Sequence, residues 1–357
     1  MFSYLITKLS YALLTLLGVV TVIFLLFTLL PGDPAQMMLG QNESEEQLKN
    51  VRKKYGFDQP ITTQYRHYLN DLSPISFHSL DEEDFSYFTT KKYSAIKLFT
   101  IGNTVGVIKF PYMRESFQKN GKKVSEVISE TLPNTAVLAV SAIFIAICLG
   151  IVLGVISALT KDQWTDKLIQ LLSTLGMSLP SFFSAIIFAW LFGYVLHEYT
   201  NLNMTGSLYE VDDFGSGSYI QWKNLILPAI VLGIRPLAVI TQLMRNSLLE
   251  VMTQDYIRTA KAKGLSMFQI IRRHALKNSL NPVVTAISGW FASLLAGAVF
   301  VEYIFGWNGL GKEIVDALNT LDLPIIMGSV IVIATMFIVI NIFVDIIYGW
   351  LDPRIRV

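Results

Sequence analysis

Charged residues and cysteine are both scarce in this chain of 357 residues. Charged side chains make up 15% of it, against about 25% in typical soluble domains. The single cysteine, Cys148, excludes an internal disulfide framework and any cluster of cysteine metal ligands. A formal net charge of +1 provides no global field that would attract nucleic acid. Hydrophobic residues, in contrast, reach 52%, which indicates that lipid is the solvent for much of the chain.

Long uncharged runs predict an all-α integral membrane protein. A helix needs about 20 apolar residues to cross a bilayer. Five runs reach about this length, and a sixth is interrupted by Arg235 and Arg245; the six cover residues 9–30, 136–159, 168–196, 225–249, 283–301 and 323–344. The third run is too long for one straight helix, and Pro180 near its middle predicts a bend. We therefore expect six transmembrane helices.

The distribution of basic residues predicts the orientation of these helices. Short cytoplasmic loops are enriched in lysine and arginine. Residues 245–282 hold seven basic side chains and two acidic ones, whereas residues 197–224 and 302–322 each hold one basic and four acidic side chains. The first of these segments is therefore expected on the cytoplasmic side. With six spans, both termini are then cytoplasmic as well.

Four regions follow from this arrangement. Residues 1–31 form a first transmembrane helix, 32–132 a large extracytoplasmic loop or cap, 133–351 a five-helix core with a cytoplasmic loop at 250–282, and 352–357 a cytoplasmic tail. In the cap, the spacing of Ser44 and Gln47 predicts a capping box at the start of a helix that continues to Tyr55. A second helix is expected from Pro60 to Leu72, and short strands are expected within 73–112.

The loop at 250–282, which we call the coupling loop, combines basic charge with helical periodicity. Good helix formers fill 255–263, Gly264 permits a turn, and Ser266 can cap a second helix. The apolar residues of that second helix at helical spacing are Met267, Phe268, Ile271 and Ala275. One interpretation is an amphipathic pair on an anionic membrane surface. The other is a docking element, because small side chains at 259, 260 and 262 leave a surface that a protein groove can cover.

The sequence of this loop resembles a known family. Residues 255–265, DYIRTAKAKGL, resemble the cytoplasmic loop of permease subunits in ATP-binding-cassette importers, in the branch that transports dipeptides, oligopeptides or nickel. Further stretches resemble the same family, at 30–34 (LPGDP), 55–60 (YGFDQP), 179–182 (LPSF), 306–311 (GWNGLG) and 351–354 (LDPR). The resemblance covers nearly all of the chain except 73–112.

The resemblance implies a permease subunit of the cytoplasmic (inner) membrane and no enzymatic activity in this chain. It implies a second homologous permease, two cytosolic ATPase subunits that bind ATP and magnesium, an extracytoplasmic substrate-binding protein and surrounding membrane lipid. No cofactor or metal bound by this chain is expected. The residues expected to contact the ATPase are Asp255, Tyr256, Arg258, Thr259, Ala260, Lys263 and Gly264.

The sequence is compatible with more than one cargo and more than one energy source. The cargo is a dipeptide, a longer peptide, a nickel complex or another small solute. The rival mechanism is an ion-coupled secondary transporter or channel, which inverted repeats and paired intramembrane carboxylates would support. Neither feature is clear in the sequence. A membrane-bound hydrolase would require a catalytic constellation, and no believable one is found.

Three ionisable residues lie at or near the predicted membrane depth. Arg235 is near the middle of the fourth run, Asp345 follows the sixth, and Glu302 follows the fifth. An unpaired charge within a span costs about 2.5 kcal/mol or more. We therefore expect Arg235 and Asp345 to face a partner, water or the transport pathway, and Glu302 to be an interfacial or gate-loop carboxylate.

One motif resembles a nucleotide site. Residues 306–312, GWNGLGK, have the glycine and lysine spacing of a phosphate-binding loop, but Glu313 stands where a magnesium-binding Ser or Thr belongs and no buried strand precedes the motif. We therefore expect a turn at the outer mouth instead of an ATP site.

Overall fold

The computed structural model describes residues 2–29, 33–39, 44–82, 84–90, 92–119, 121–212 and 217–351. The chain divides into two compact units. The first comprises Met1–Glu130 and Ile314–Thr335, and the second comprises Thr131–Glu313 and Met336–Val357.

The first unit is built from helices and one small sheet. Its elements are α1 (Phe2–Leu29), α2 (Pro34–Leu39), α3 (Glu45–Tyr55), α4 (Ile61–Leu72), β1 (Ile75–Ser79), β2 (Ala95–Ile101) and β3 (Thr104–Lys109). The predicted capping box is present, since Ser44 and Gln47 exchange side-chain and backbone hydrogen bonds at the start of α3. The antiparallel sheet has the order β1-β3-β2, which confirms short strands within 73–112.

Helix α4 packs along the C-terminal half of α1. The hydroxyls of Thr21 and Tyr65 lie 2.6 Å apart, and the rings of Phe24 and Tyr68 stack with centroids 5.5 Å apart. Asn70 at the end of α4 exchanges two hydrogen bonds with the backbone of Phe77, at 2.8 and 2.9 Å. These bonds fix strand β1 to α4 and thereby position the sheet of the cap.

The second unit contains most of the helices and one two-stranded sheet. Its elements are α5 (Val124–Leu159, from Thr131 onward), α6 (Trp164–Ser178), α7 (Ser181–Trp190), a π-helical turn (Leu191–Val195), α8 (His197–Thr200), β4 (Tyr209–Val211), β5 (Ser218–Ile220), α9 (Lys223–Val251), α10 (Asp255–Ala262), α11 (Met267–Ile270), a second π-helical turn (Ile271–Ala275), α12 (Leu276–Ser279), α13 (Asn281–Gly297), α14 (Val299–Phe305), the start of α15 (Leu310–Asn319) and the end of α16 (Leu323–Leu351).

Among the described residues, four helical segments are long and apolar enough to cross a membrane: Ile6–Thr28, Val124–Leu159, Lys223–Val251 and Leu323–Val344. A fifth candidate is the pair α6 and α7, which meet at an angle of 111°. The bend predicted at Pro180 is therefore present. The predicted run at 283–301 is divided between α13, which has 17 residues, and α14.

Small residues bring α5 and α9 into close contact. A Cβ atom on Gly150 would lie 2.7 Å from the side chain of Ile240, and one on Gly154 would lie 2.6 Å from that of Met244. Gly150 approaches Ile240, and Gly154, four residues later, approaches Met244, also four residues later. Helices α5 and α9 therefore run in the same direction. Helix α6 runs the opposite way, since its first turn contacts Arg245 and Gly176 near its end approaches Ile234.

Candidate functional site

The coupling loop forms two short helices with a sharp turn between them. Helix α10 ends at Ala262, and Gly264, two residues later, has a φ of +75° in the left-handed region. The amide of Gly264 donates to the carbonyl of Lys261, and that of Leu265 donates to the carbonyl of Ala260. This pair of bonds is the Schellman arrangement. Ser266 and Gln269 then form a capping box that starts α11, as predicted.

One face of α10 is buried in the chain's own core. Ile257 is 0% and Ala260 5% exposed, and both pack in an apolar cluster with Met244 and Leu248 of α9. Ala260 therefore faces the core of the chain and not a partner. A substitution at Ala260 would affect docking only by changing how α10 packs against α9. The other predicted contact residues are all exposed: Asp255, Tyr256, Arg258, Thr259, Lys263 and Gly264.

The segment from α11 through the π-helical turn to α12 is held to α10 by a hydrogen bond. The side-chain amide of Asn278 donates to the hydroxyl of Tyr256 at 2.8 Å. The π-helical turn at 271–275 changes the register, so that Ile270 and Ala275 are buried. Met267 and Phe268, placed on the apolar face by the sequence, are 47% and 71% exposed. The widened turn is the physical reason for this difference.

A buried ion pair joins three helices close to the coupling loop. Arg245 of α9 donates two hydrogen bonds to Asp166 of α6, at 2.8 and 2.7 Å. The same carboxylate accepts from the hydroxyl of Ser157 on α5 and from the amide of Asp162. Sequence reasoning missed this pair, although Asp166 stands just before one apolar run and Arg245 stands within another, which was a signal that each charge required a partner.

Glu302 lies in helix α14 of the second unit and is completely buried. Its carboxylate accepts hydrogen bonds from the amides of Gly311, at 2.7 Å, and Lys312, at 3.1 Å. Burial raises the pKa of Glu302 to about 7, against the opposing effect of hydrogen bonds from Thr135 and the two amides. The expectation of an interfacial or gate-loop carboxylate stays a prediction, and the structure shows that the side chain is buried.

The turn at 306–311, which we call the glycine turn, explains the nucleotide-like motif. Its amides face the carboxylate of Glu302, in the position that a phosphate would occupy in a phosphate-binding loop. Further bonds fix the turn, because the indole of Trp307 donates to the carbonyl of Asn134 and the amide of Leu310 donates to Thr135. The protein's own carboxylate therefore fills the anion position.

The remaining predicted residues are not brought together. Arg235 is exposed on α9, and it forms no ion pair with any side chain that the structure describes. Asp345 belongs to α16, but its side chain and the tail at 352–357 lie outside the described residues. Within the described part of the chain, no group of three or more His, Cys, Asp or Glu side chains has the geometry of a metal site.

Comparison with known proteins identifies the family. Residues 150–357 match the model of the binding-protein-dependent transport system inner membrane component, and residues 1–79 match that family's N-terminal model. The chain belongs to this family. It is a permease subunit of the ATP-binding-cassette importer class, as the resemblance of the coupling loop had predicted.

Full-length relatives support the same assignment. The permease is 32% identical to the dipeptide transport system permease protein DppB of Alkalihalophilus pseudofirmus over 369 residues, which cover 100% of both chains. It is 35% identical to the protein of the same name from Haemophilus influenzae over 374 residues, again covering 100% of both chains. Among solved structures, an inward-facing MetNI methionine ABC transporter chain is 16% identical, with a TM-score of 0.48 and coverage of 64% of this chain and 97% of that chain.

Proposed function

We propose that this permease imports di- or oligopeptides across the cytoplasmic membrane and that ATP hydrolysis on separate subunits drives the import. The observation that carries the proposal is the two-sided coupling helix α10. Its inner face is anchored by Ile257 and Ala260, while its outer face is exposed and carries the small and basic residues expected of a docking element. A rigidly seated element is what a mechanical link between subunits requires.

The coupling loop would then insert into a groove on one of the two ATPases. It directly joins α9 to α13, and its inner face packs on α9. Closure of two ATPases around ATP and magnesium would move this loop and shift the attached helices between inward-open and outward-open arrangements. A second homologous permease would supply the other half of the pathway, and an extracytoplasmic binding protein would deliver the solute.

The course of the chain supports six spans with both termini in the cytoplasm. Helix α6 begins beside Arg245, near the end of α9, whereas the segment after α7 reaches the start of α9, where Asn224 bonds to Ser207. The bent pair therefore reaches both ends of α9 despite its angle, which supports counting it as one span. Residues 283–301, in α13 and the start of α14, would form the remaining span.

Peptide is the proposed cargo because relatives over the full length are named as dipeptide or peptide permeases. Nickel complexes are the alternative cargo within the family. Arg235 is exposed and lacks an ion-pair partner among the described side chains, so we place it at the pathway shared with the second permease. A guanidinium in that position would attract the carboxylate terminus of a peptide.

The function is tested by substitution at Gly264. Valine is strained at a φ of +75°, and there is open space around the Cβ position, so the change alters the turn without a steric clash. In proteoliposomes of the assembled importer, Gly264→Val should reduce uptake of a radiolabelled dipeptide at least tenfold while ATP hydrolysis continues. Gly264→Asn should retain most uptake, because asparagine tolerates the left-handed region.

The matched control is Gly102→Val in the cap, where φ is +57° and no atom lies within 4 Å of the Cβ position. This variant carries similar backbone strain but should transport normally. Full uptake by Gly264→Val would refute the coupling mechanism. Uptake that persists without ATPase subunits would instead favour the ion-coupled alternative. If a nickel chelate competes with the radiolabelled dipeptide for uptake and longer peptides do not, the peptide cargo is refuted.

A further inference from the structure

An apolar cavity of about 260 Å³ lies within the first unit. Its walls come from the C-terminal half of α1, from α4 and from the first turns of α16, and they include Phe24, Phe27, Leu72, Met327 and Ile331. An apolar cavity of about 150 Å³ is already large enough to bind benzene. The cavity therefore has room for a segment of a hydrocarbon chain, and its aromatic and aliphatic walls match that chemistry.

One polar atom in the wall has no partner. The side chain of Tyr68 is 5% exposed, lines the cavity, and its hydroxyl forms no hydrogen bond with any atom of the described residues. A buried hydroxyl without a partner is unfavourable, because it has lost its hydrogen bonds to water. Burial also raises the pKa of Tyr68, so the hydroxyl remains protonated and can donate. A ligand with an acceptor such as an ester carbonyl would satisfy it.

Charges of both signs line the same cavity. The guanidinium of Arg52 donates to the carboxylate of Asp33 at 2.9 Å through Nε, and the side chains of these residues are 45% and 21% exposed. Arg114 also lines the cavity, but Asp71 holds its guanidinium at 3.2 Å. The accessible Arg52–Asp33 pair can accommodate a phosphate beside the guanidinium and an ammonium beside the carboxylate.

Two of the walls belong to membrane-crossing helices, Ile6–Thr28 and Leu323–Val344. The cavity residues of both helices lie near one end of the span, where hydrocarbon meets the headgroup region and tyrosine is enriched. A membrane phospholipid is the molecule that presents an acyl chain, an ester and a charged headgroup together at this depth. A water-soluble solute would match the charged side chains of the wall but not its aromatic and aliphatic side chains.

We propose that this cavity binds one acyl chain of a zwitterionic phospholipid, with an ester carbonyl on the Tyr68 hydroxyl and the headgroup at Arg52 and Asp33. The site is separate from the coupling loop, and it does not depend on which solute the permease transports. It gives the permease one resident lipid, held in place more tightly than the exchangeable lipids around the bundle.

The test is lipid retention by the full-length chain. The purified protein is stripped with detergent and titrated with dioleoylphosphatidylethanolamine in mixed micelles, and native mass spectrometry counts the bound lipids. The wild type should retain one lipid per chain. Met327→Trp, which fills the cavity, should lower occupancy at least tenfold, and Tyr68→Phe should lower it several-fold. Neutralising the pair with Arg52→Gln and Asp33→Asn should abolish preference over dioleoylphosphatidylglycerol.

Tyr65→Phe is the matched control, because Tyr65 lies on the same helix but its hydroxyl already bonds to Thr21. It should bind like the wild type. Equal retention by wild type, Met327→Trp and Tyr68→Phe would overturn the proposal, as would equally tight binding of oleic acid. If Met327→Trp does not fold, Tyr68→Phe decides the question, since it removes one oxygen and adds no bulk.

Discussion

Two buried carboxylates in the second unit have different kinds of partner. Asp166 is paired with the guanidinium of Arg245 and joins α5, α6 and α9 close to the coupling loop. Glu302 accepts backbone amides of the glycine turn and has no cationic side chain among the hydrogen-bond donors described for it. The first arrangement depends on a matched charge. The second depends on glycines that allow the backbone to approach.

This difference predicts different sensitivities at the two places. Removing one member of a buried charge pair leaves the other uncompensated. A glycine-to-alanine substitution beside Glu302 makes the added Cβ atom overlap with neighbouring atoms instead. Replacing Glu302 by glutamine removes the charge but keeps most of the hydrogen bonds that the side chain accepts. Substitutions at Asp166, at the glycines and at Glu302 should therefore rank in that order of effect.

The largest effect is expected for Asp166→Ala. Arg245, whose side chain is 18% exposed, would lose its counter-charge, and the loss of one partner costs about 3–5 kcal/mol where the remaining charge is fully buried. The thermal midpoint of the purified chain in detergent should fall accordingly. The double variant Asp166→Leu/Arg245→Met should recover most of this loss, because an apolar pair needs no compensation.

An exposed ion pair in the same unit serves as the control. Asp255 and Arg258 are 3.4 Å apart at the surface, and exposed pairs contribute at most about 1 kcal/mol. Asp255→Ala should therefore barely change the midpoint. A loss equal to that of Asp166→Ala would show that burial is not the reason for the difference.

An intermediate effect is expected when the glycine turn is filled. A Cβ atom on Gly309 would lie 2.4 Å from Oε2 of Glu302, and one on Gly311 would lie 2.6 Å from the backbone of Val299. Overpacking of this kind costs about 1–3 kcal/mol, so either alanine variant should lower the thermal midpoint. Gly289→Ala is the matched control, since nothing lies within 4 Å of its Cβ position. It should be neutral or stabilising.

The smallest effect at neutral pH is expected for Glu302→Gln, and it should depend on pH. Because the pKa of the folded state is raised to about 7, the folded protein retains a proton that the unfolded chain has already released. This contribution to stability is complete below the ordinary glutamate pKa and is lost as the pH rises through about 7. The wild-type midpoint should therefore fall between pH 5 and pH 8 more steeply than that of Glu302→Gln. Parallel pH profiles would contradict the assignment.

Local patterns in the sequence were sufficient to predict much of the fold. The capping boxes at Ser44 and Ser266 and the turn at Gly264 are encoded within a few residues, and the structure contains all three. The bend at Pro180 was also predictable, because proline removes a hydrogen bond of the helix. The angle of 111° was not, because packing against α9 contributes to it.

Contacts between distant residues could not be predicted in the same way. Asp166 and Arg245 are 79 positions apart, and no local pattern links them. The inward orientation of Ala260 depends on the cluster beneath α10, and the exposure of Phe268 depends on a π-helical turn. For Glu302, position alone indicated a gate-loop carboxylate, but its bonds to the glycine turn required the three-dimensional structure.

The angle between α6 and α7 has a mechanical consequence. A straight rod passes an axial push to its far end without changing its direction. Two rods joined at 111° act as a crank, in which a push along the first arm displaces the second arm mainly sideways. Asp166 joins the start of α6 to the C-terminal part of α9. A displacement of that part of α9 along α6 would therefore move α7 sideways, with the change of direction at Pro180.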